Sequence, residues 1–408
     1  MPFSNTGPLR EEIARVIPQR PFSVEFWDGT SLPATASPNG NSADPPTFTV
    51  RSPKAVAQAL AAPGQLGLGR AYATGTLEVD DIDAVMALLR DWSPPPLERQ
   101  DKLKLAAGAL RAAGLTVPPR APAAELKPKG RRHTKTRDQR AVRHHYDVSN
   151  DYFRLFLDES MTYSCAIFSR GAKTLEEAQV AKNDLVATKL GLREGMRIVD
   201  IGSGWGAFAI HAAKQYGTHV TGITLSEHQA GAARENAEKA GVSDLTEFRV
   251  QDYRDLAGET FDAVASIGMV EHIGEERIDE YARKLGSLVK PGGQLLNHGI
   301  ARLRHDDPEA GPFSERYVFP DAHPIHVSRI VEAFEKAGMP MRHAENFRMD
   351  YAETLKHWAQ RFDDNLAEAE RLGGAERTRV WRLYLRVARN GFETGFTGVY
   401  QVLARRAD

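Results

Sequence analysis

The chain has 408 residues, 41% hydrophobic and 26% charged, with a formal net charge of -1. This length admits roughly two or three domains with a sizeable core, and the balanced charge gives no global basic field for nucleic acid. Cys165 is the one cysteine, which excludes an internal disulfide framework and points to a reducing compartment.

The opening residues, MPFSNTGPLREEIARV, lack the apolar core of a signal peptide, and no run approaches the roughly 20 apolar residues of a membrane span. A cytoplasmic protein is expected. Residues 1–115 read as a small α+β docking or substrate-guiding domain. Strands are expected at Phe22 to Phe26 and Thr47 to Val50, split by a loop from Gly29 to Pro46. Ser52 and Pro53 open a helix as N-cap and first helical residue. After LGLGRAYATGTLEVDD comes a second helix, Ile82 to Leu89, broken at Trp92-Ser93-Pro94-Pro95-Pro96.

Residues 116–143 read as a linker. Pro118, Pro119, Pro122 and Pro128 keep its first half extended. The second half, 127–143, carries Lys127, Lys129, Arg131, Arg132, Lys135, Arg137, Arg140 and Arg143 against Asp138. A solvated linker and a patch for an anionic lipid surface both fit this run. At about 1 kcal/mol per charge near an acidic membrane, such a run attaches reversibly if it faces one way.

From about His144 to the end, strands alternate with helices, so a mostly parallel sheet is expected. The strands read as Arg197 to Ile201, His219 to Ile223, Thr246 to Val250, Phe261 to Ser266 and Gln294 to His298. The turn Lys290-Pro291-Gly292-Gly293 before the last is a methyltransferase-type signal. Two C-terminal segments, Tyr351 to Phe362 and Ala375 to Arg389, carry apolar stripes at helical spacing.

The segment RIVDIGSGWGAF, residues 197–208, is the most informative. An apolar strand ends in Asp200, then Gly202, Gly204 and Gly206 alternate, then a helix opens. A strand, a glycine turn and a helix start form a nucleotide-cofactor site in a doubly wound sheet. The spacing is G-x-G-x-G rather than G-x-G-x-x-G, which indicates S-adenosylmethionine (SAM) in place of a dinucleotide. The expected fold is a Rossmann-like α/β class I methyltransferase domain. Asp200, Gly202, Ser203, Gly204 and Gly206 are its first cofactor candidates. After the second strand, Thr224, Ser226 and Gln229 can hydrogen-bond a ribose diol. Ser226 can equally cap the next helix, with Gln229 at the capping-box position. After the third strand, Asp252 can accept from the adenine amine and Tyr253 can stack. The chain shows no metal-ligand pattern.

Six ordered motifs then converge: HYDVSNDYFRLFLDESMTYSCAIF (145–168), VDIGSGWG (199–206), GITLSEHQ (222–229), QDYRDL (251–256), SIGMVEHIG (266–274) and ERYVFPDA (315–322). Together they resemble the cyclopropane-fatty-acyl-phospholipid synthases, a group with the mycolic acid cyclopropane synthases and the actinobacterial enzymes that methylenate oleoyl chains. The resemblance covers about residues 140–408 strongly and the N-terminal region loosely. It implies C1 transfer from SAM to a cis double bond of an unsaturated phospholipid in the membrane. The resulting carbocation would lose a proton to a bound bicarbonate. By motif the bicarbonate site falls on Cys165, Glu271, His298, Ile300 and Tyr351, and Tyr163 and Ser164 join the cofactor set. His144, His145 and Tyr146 can close over the cofactor or end a helix.

The resemblance makes the N-terminal domain lipid-guiding, the C-terminal helices an acyl-chain tunnel, and the enzyme peripheral at the inner face of the cell membrane. The product is a cyclopropane or a 10-methylene chain, the latter passed to a separate reductase. A homodimer stays open. One departure is Ala388, where some relatives carry a second cysteine; no covalent cysteine step can depend on it. Two other readings stand beside this one: a small-molecule N-methyltransferase, and a non-catalytic lipid- or SAM-binding protein.

Overall fold

Seven strands in the order β10-β11-β9-β8-β5-β6-β7 form the sheet on which the site is built. They are β5 (Arg197–Ile201), β6 (His219–Thr224), β7 (Thr246–Val250), β8 (Phe261–Ile267), β9 (Val289–Arg302), β10 (Met341–Asn346) and β11 (Thr397–Arg405). The structure, a computed structural model, describes residues 5–37, 44–114, 121–126, 134, 135, 137, 149–306 and 311–408. The chain divides into two units. One comprises residues 1–127, 311–318 and 373–390; the other comprises 128–310, 319–372 and 391–408.

In the first unit, β1 (Ser23–Phe26), β2 (Ser31–Leu32), β3 (Thr47–Val50) and β4 (Leu77–Val79) form a sheet ordered β2-β1-β3-β4. Val24, Phe26, Val50 and Leu77 pack there against Leu9, Ala55 and Ala109 from helices. Ser52 caps its helix by accepting the N–H of Lys54 at 3.3 Å, with Pro53 at the first position. A division of the chain at residues 116–143 does not anticipate that 373–390 joins this unit. Its anchor is Arg379, which donates to the carbonyls of Tyr72 and Leu77 at 2.6 and 3.0 Å. The same guanidinium lies 4.6 Å from the centre of the Tyr72 ring. Such pairing over 300 residues leaves no trace in local composition.

In the second unit, β5 to β9 are parallel and β10 and β11 are antiparallel additions. Ile198 of β5 belongs to one buried cluster, and Val199 and Ile201 belong to another on the opposite face. A strand covered on both sides carries apolar residues on both faces, which is why Ile198 and Val199 stand side by side in RIVDI without alternation. The Lys290-Pro291-Gly292-Gly293 turn lies inside β9 rather than before it. Phe261 pairs with Val289 and Ala263 with Gln294, so the four residues bulge from one continuous strand. β10 is an exposed edge, and its sequence MRHAEN has no apolar alternation to announce a strand.

From β5 the chain steps outward through β6 and β7, then returns to place β8 on the other side. The carboxyl end of β5 is therefore the topological switch point, where a crevice opens. The glycine loop fills this end, and the N–H groups of Gly202 and Ser203 both donate to the Ile223 carbonyl, at 3.0 and 2.9 Å. Gly204 and Gly206 have φ of 53° and 86°. A Cβ on Gly206 would lie 2.9 Å from the Phe248 ring and 3.1 Å from Ala233, whereas one on Gly204 would meet nothing within 4 Å. Both alanine variants incur about 1 kcal/mol for the left-handed backbone. Gly206→Ala should lose a further 1–3 kcal/mol, roughly, from overpacking. Urea unfolding of the two variants checks this ordering; equal midpoints would refute it.

Candidate active site

The crevice is a cavity walled by residues 161–164, the glycine loop, Thr224, Gln229, and residues 251–254, 267–269 and 319–321. Of the expected cofactor residues, Tyr163, Ser164, Asp200, Gly202, Ser203, Gly204, Thr224, Gln229, Asp252 and Tyr253 lie on its wall. Gly206 and Ser226 do not. Gly206 stands at the N-terminus of helix Ala207–Tyr216, and the Ser226 hydroxyl caps the next helix by accepting the Gln229 N–H at 3.3 Å. Gln229 completes no capping box, because its side-chain oxygen accepts from the Thr224 hydroxyl at 2.7 Å. That leaves the amide nitrogen of Gln229 as the group that can meet a diol.

Asp252 is already engaged. Arg254 grips its carboxylate with Nε at 2.8 Å and Nη2 at 2.6 Å, so an adenine amine would share the acid with Arg254. Tyr253 packs edge-on against Tyr281, with ring centres 5.6 Å apart. The opposite wall is aromatic. Tyr163 is stacked between Phe319 and Trp358, at 6.4 and 5.2 Å. Trp205 is fixed by donating from its indole nitrogen to Asn150 at 2.7 Å. Gln179 holds the 161–164 segment by donating to the carbonyls of Thr162 and Ser164 at 3.3 and 2.9 Å.

A second set of groups is buried outside the cavity lining. Glu271 sits in the short turn Val270–His272 after β8 and is buried. The backbone at Glu271 and at Ile300 acts to favour its charged form, and its Oε2 has no partner among the described residues. A Cβ on Gly299 would come within 3.0 Å of that oxygen, so the carboxylate rests on the backbone between His298 and Ile300. Burial pushes the Glu271 carboxyl up to about 7.

His298 is 1% exposed, and burial pushes it down to about 3, so it is neutral at physiological pH. Its tautomer follows from its neighbours. The Lys189 ammonium can only donate, so the Gln401 oxygen at 2.7 Å faces it. The Gln401 amide N–H therefore faces His298 Nδ1 at 3.2 Å, which leaves the proton on Nε2. Nε2 has no partner among the described residues. Glu271 and His298 thus present one acceptor and one donor.

Cys165 is fully buried, and burial raises its thiol well above the ordinary range. It is a neutral donor, to the carbonyls of Ala166 and Phe347 at 3.2 and 3.8 Å, and not a thiolate nucleophile. The Phe347 carbonyl also accepts the N–H of Tyr351 at 3.0 Å. Tyr351 meets Trp358 edge-on at 6.0 Å, which ties it to the aromatic wall. Helix Arg348–Asp364 fastens the cysteine segment: Asp350 accepts from Phe168 and Ser169, both at 2.7 Å, and Thr354 accepts from Ala166 at 3.0 Å. The apolar stripe of this helix packs into the core, with Phe362 on Tyr152 and Phe156.

The sequence reading missed Lys182, Trp205, Arg254, Phe319 and Asp321, all on the cavity wall. Trp205, Arg254, Phe319 and Asp321 lie inside quoted motifs, so motif membership was the available signal. Lys182 has none; its helix reads as an ordinary surface helix. Of the basic run 127–143, Arg137 is turned inward, forking Asp321 at 2.5 and 2.6 Å, and Lys135 pairs with Asp255 at 2.5 Å. These two charges are engaged by acids. Lys127, Lys129, Arg131, Arg132, Arg140, Arg143, His144, His145 and Tyr146 lie outside the described residues.

A glycine loop at the switch point of this strand order, with Thr224 and Gln229 on the cavity wall beside it and aromatic rings lining it, defines a class I SAM-dependent methyltransferase. The family model described as "Mycolic acid cyclopropane synthetase" matches residues 133–402. The chain is 36% identical to "Probable fatty acid methyltransferase Rv3720" of Mycobacterium tuberculosis, covering 97% of this chain and 94% of that one. It is 33% identical to the "Cyclopropane-fatty-acyl-phospholipid synthase" of Escherichia coli K12, covering 84% of each. The crystal structure of mycolic acid cyclopropane synthase CmaA1 with SAH and CTAB aligns with a TM-score of 0.62 at 31% identity, over 66% of this chain and 98% of that one. The chain belongs to the cyclopropane synthase family of SAM-dependent methyltransferases.

The raised carboxyl of Glu271 has a consequence for stability. The folded state holds this proton up to about 7, whereas an ordinary glutamate releases it near 4.5. Between those values the unfolded chain binds fewer protons, so this group's contribution falls as pH rises. His298, lowered by burial, acts in the opposite sense. Comparison with Glu271→Gln isolates the glutamate: the variant should gain stability relative to wild type from about pH 4.5 to about pH 7, then hold a constant margin. A pH-independent difference in urea midpoints would contradict this.

Proposed function

We propose that the chain transfers a C1 unit from SAM to the cis double bond of an unsaturated phospholipid acyl chain. The observation that carries this reading is the pair of unpartnered buried atoms, Glu271 Oε2 and His298 Nε2, with His272, the neighbour of Glu271, on the lining of the SAM-type cavity. A methyltransferase acting on a nitrogen lone pair needs no such second site. An alkene is a weak nucleophile, and its methylation leaves a carbocation that must then lose a proton.

The residues fit a bound bicarbonate. Glu271 Oε2 would accept from its hydroxyl and His298 Nε2 would donate to an oxygen, while the Cys165 thiol would have to turn its one proton away from the Ala166 and Phe347 carbonyls to join them. Tyr351 and the backbone at Ile300 complete the set proposed from the motifs. Bound together, SAM would supply an electrophilic methyl group and bicarbonate a proton acceptor. The chain's own part is to exclude water and orient. Tyr163, Trp205 and Phe319 line the cavity with aromatic rings, which would exclude water. Gly202 to Gly204 and Gln229 would hold the cofactor. Proton loss from the transferred methyl closes a ring; loss from a chain carbon after hydride shift gives a methylene branch.

The relatives' names, a fatty acid methyltransferase and a fatty-acyl-phospholipid synthase, support a lipid substrate. Among the described residues no helix is long and apolar enough to cross a membrane. A phospholipid would therefore be met at the membrane surface, with the N-terminal unit as its guide.

The test combines SAM with vesicles of a cis-monounsaturated phospholipid and analyses the released chains by mass spectrometry and proton NMR. The expected product is heavier by one CH2, with upfield ring protons or exocyclic vinylidene protons. Glu271→Gln should lose about a hundredfold or more in rate while still binding S-adenosylhomocysteine. No mass gain from a wild-type enzyme that binds S-adenosylhomocysteine would overturn the lipid reading.

A further inference from the structure

Lys182 lies on helix Leu175–Lys189, one turn beyond Gln179, which braces the 161–164 segment. It is 1% exposed and lies on the wall of the cofactor cavity. Lysines are almost never fully buried without a partner, because desolvating an ammonium is costly. Yet this ammonium makes no hydrogen bond or ion pair with any described residue. What surrounds it is charge at a distance: Asp158 and Asp200, with Cys165 beyond. Burial lowers it to about 8, and the acids act against that.

Asp200 shares the predicament. It is 2% exposed, on the same wall, and its Oδ1 has no partner among the described residues. A buried acid and a buried ammonium that approach one cavity without pairing are complementary to a ligand carrying both charges. The amino-acid end of SAM is such a group, with an α-ammonium and an α-carboxylate.

We propose that Lys182 is a cofactor-positioning residue whose ammonium receives the α-carboxylate of SAM. This rests on the reading of the cavity as the SAM site. Anchoring the carboxylate fixes one end of the methionine chain, and with it the direction of the sulfonium. Bicarbonate is the other anion of the proposed site, and a lysine serving it would leave the cofactor's carboxylate untouched. The test is built to separate the two.

The experiment measures binding of S-adenosylhomocysteine and of its decarboxylated analogue, by calorimetry, to the full chain and to Lys182→Met. The analogue keeps the adenosine, the sulfur and the ammonium and lacks only the carboxylate. Lys182→Met should weaken S-adenosylhomocysteine about tenfold to a hundredfold, the range of a charged hydrogen bond. The decarboxylated analogue should change by less than about threefold. Equal losses for both ligands would make Lys182 a structural residue. No loss for either, with turnover now needing more bicarbonate, would assign it to that anion and overturn the proposal. Should the variant fail to fold, a crystal structure of the wild-type protein with S-adenosylhomocysteine decides. Lys182 Nζ should then lie within about 3.2 Å of a carboxylate oxygen, and a longer separation refutes the contact. Failure of the wild-type chain to bind S-adenosylhomocysteine at all would defeat the cofactor site itself, a distinct outcome.

Discussion

The catalytic unit depends on one constraint: ionisable side chains are held dry at the carboxyl edge of a sheet covered on both faces. Asp200, Glu271, His298 and Lys182 all lie there at 8% exposure or less. A solvated version of the same residues would have ordinary proton affinities and every hydrogen bond filled by water. Burial removes that option, so the groups are forced toward neutral forms or toward a ligand. Glu271 holds its proton up to about 7, and His298 stays neutral with its proton on Nε2. The same dryness suits chemistry in which a carbocation must survive long enough to lose a proton rather than capture water.

Such a floor is unfavourable for folding, since each buried polar atom without a partner costs about 1–3 kcal/mol. The compensation comes from the surrounding apolar clusters and from hydrogen bonds that brace the site at one remove. Asp350 and Thr354 fasten the Cys165 segment, Gln179 fastens residues 161–164, and the chain Lys189, Gln401, His298 sets a tautomer. These hydrogen bonds each brace one segment, while Glu271 Oε2, His298 Nε2 and Asp200 Oδ1 have no partner among the described residues.

The legible part of this architecture was the part written in local patterns. RIVDIGSGWG states a central strand, a tight turn and a helix start within ten residues, because a strand buried on both faces cannot alternate and a loop at φ above zero selects glycine. The inner strands β6 and β8 followed from the same logic, and the Ser52-Pro53 helix start from its own local capping pattern. What was not legible is non-local. Lys182 in AQVAKNDL reads as a solvent-facing lysine, and only the packing of its helix against the 161–164 segment buries it. Gln401 fixes the state of His298 from a strand with no sequence signal of its role. The inward turn of Arg137 toward Asp321 was hidden because composition counts charges and does not say where they point. The bulge at residues 290–293 shows the limit of turn chemistry: proline and glycine marked an interruption, but strand pairing resumed across it.

The central claim is that the Glu271, His298 and Ile300 cluster is a seat for a proton-accepting anion. It is tested most directly by assaying wild-type turnover in buffer stripped of carbon dioxide, with bicarbonate then added back in steps. The expected result is a low initial rate that rises and saturates with bicarbonate, at unchanged affinity for S-adenosylhomocysteine. A rate that stays the same from stripped buffer to excess bicarbonate would contradict the account.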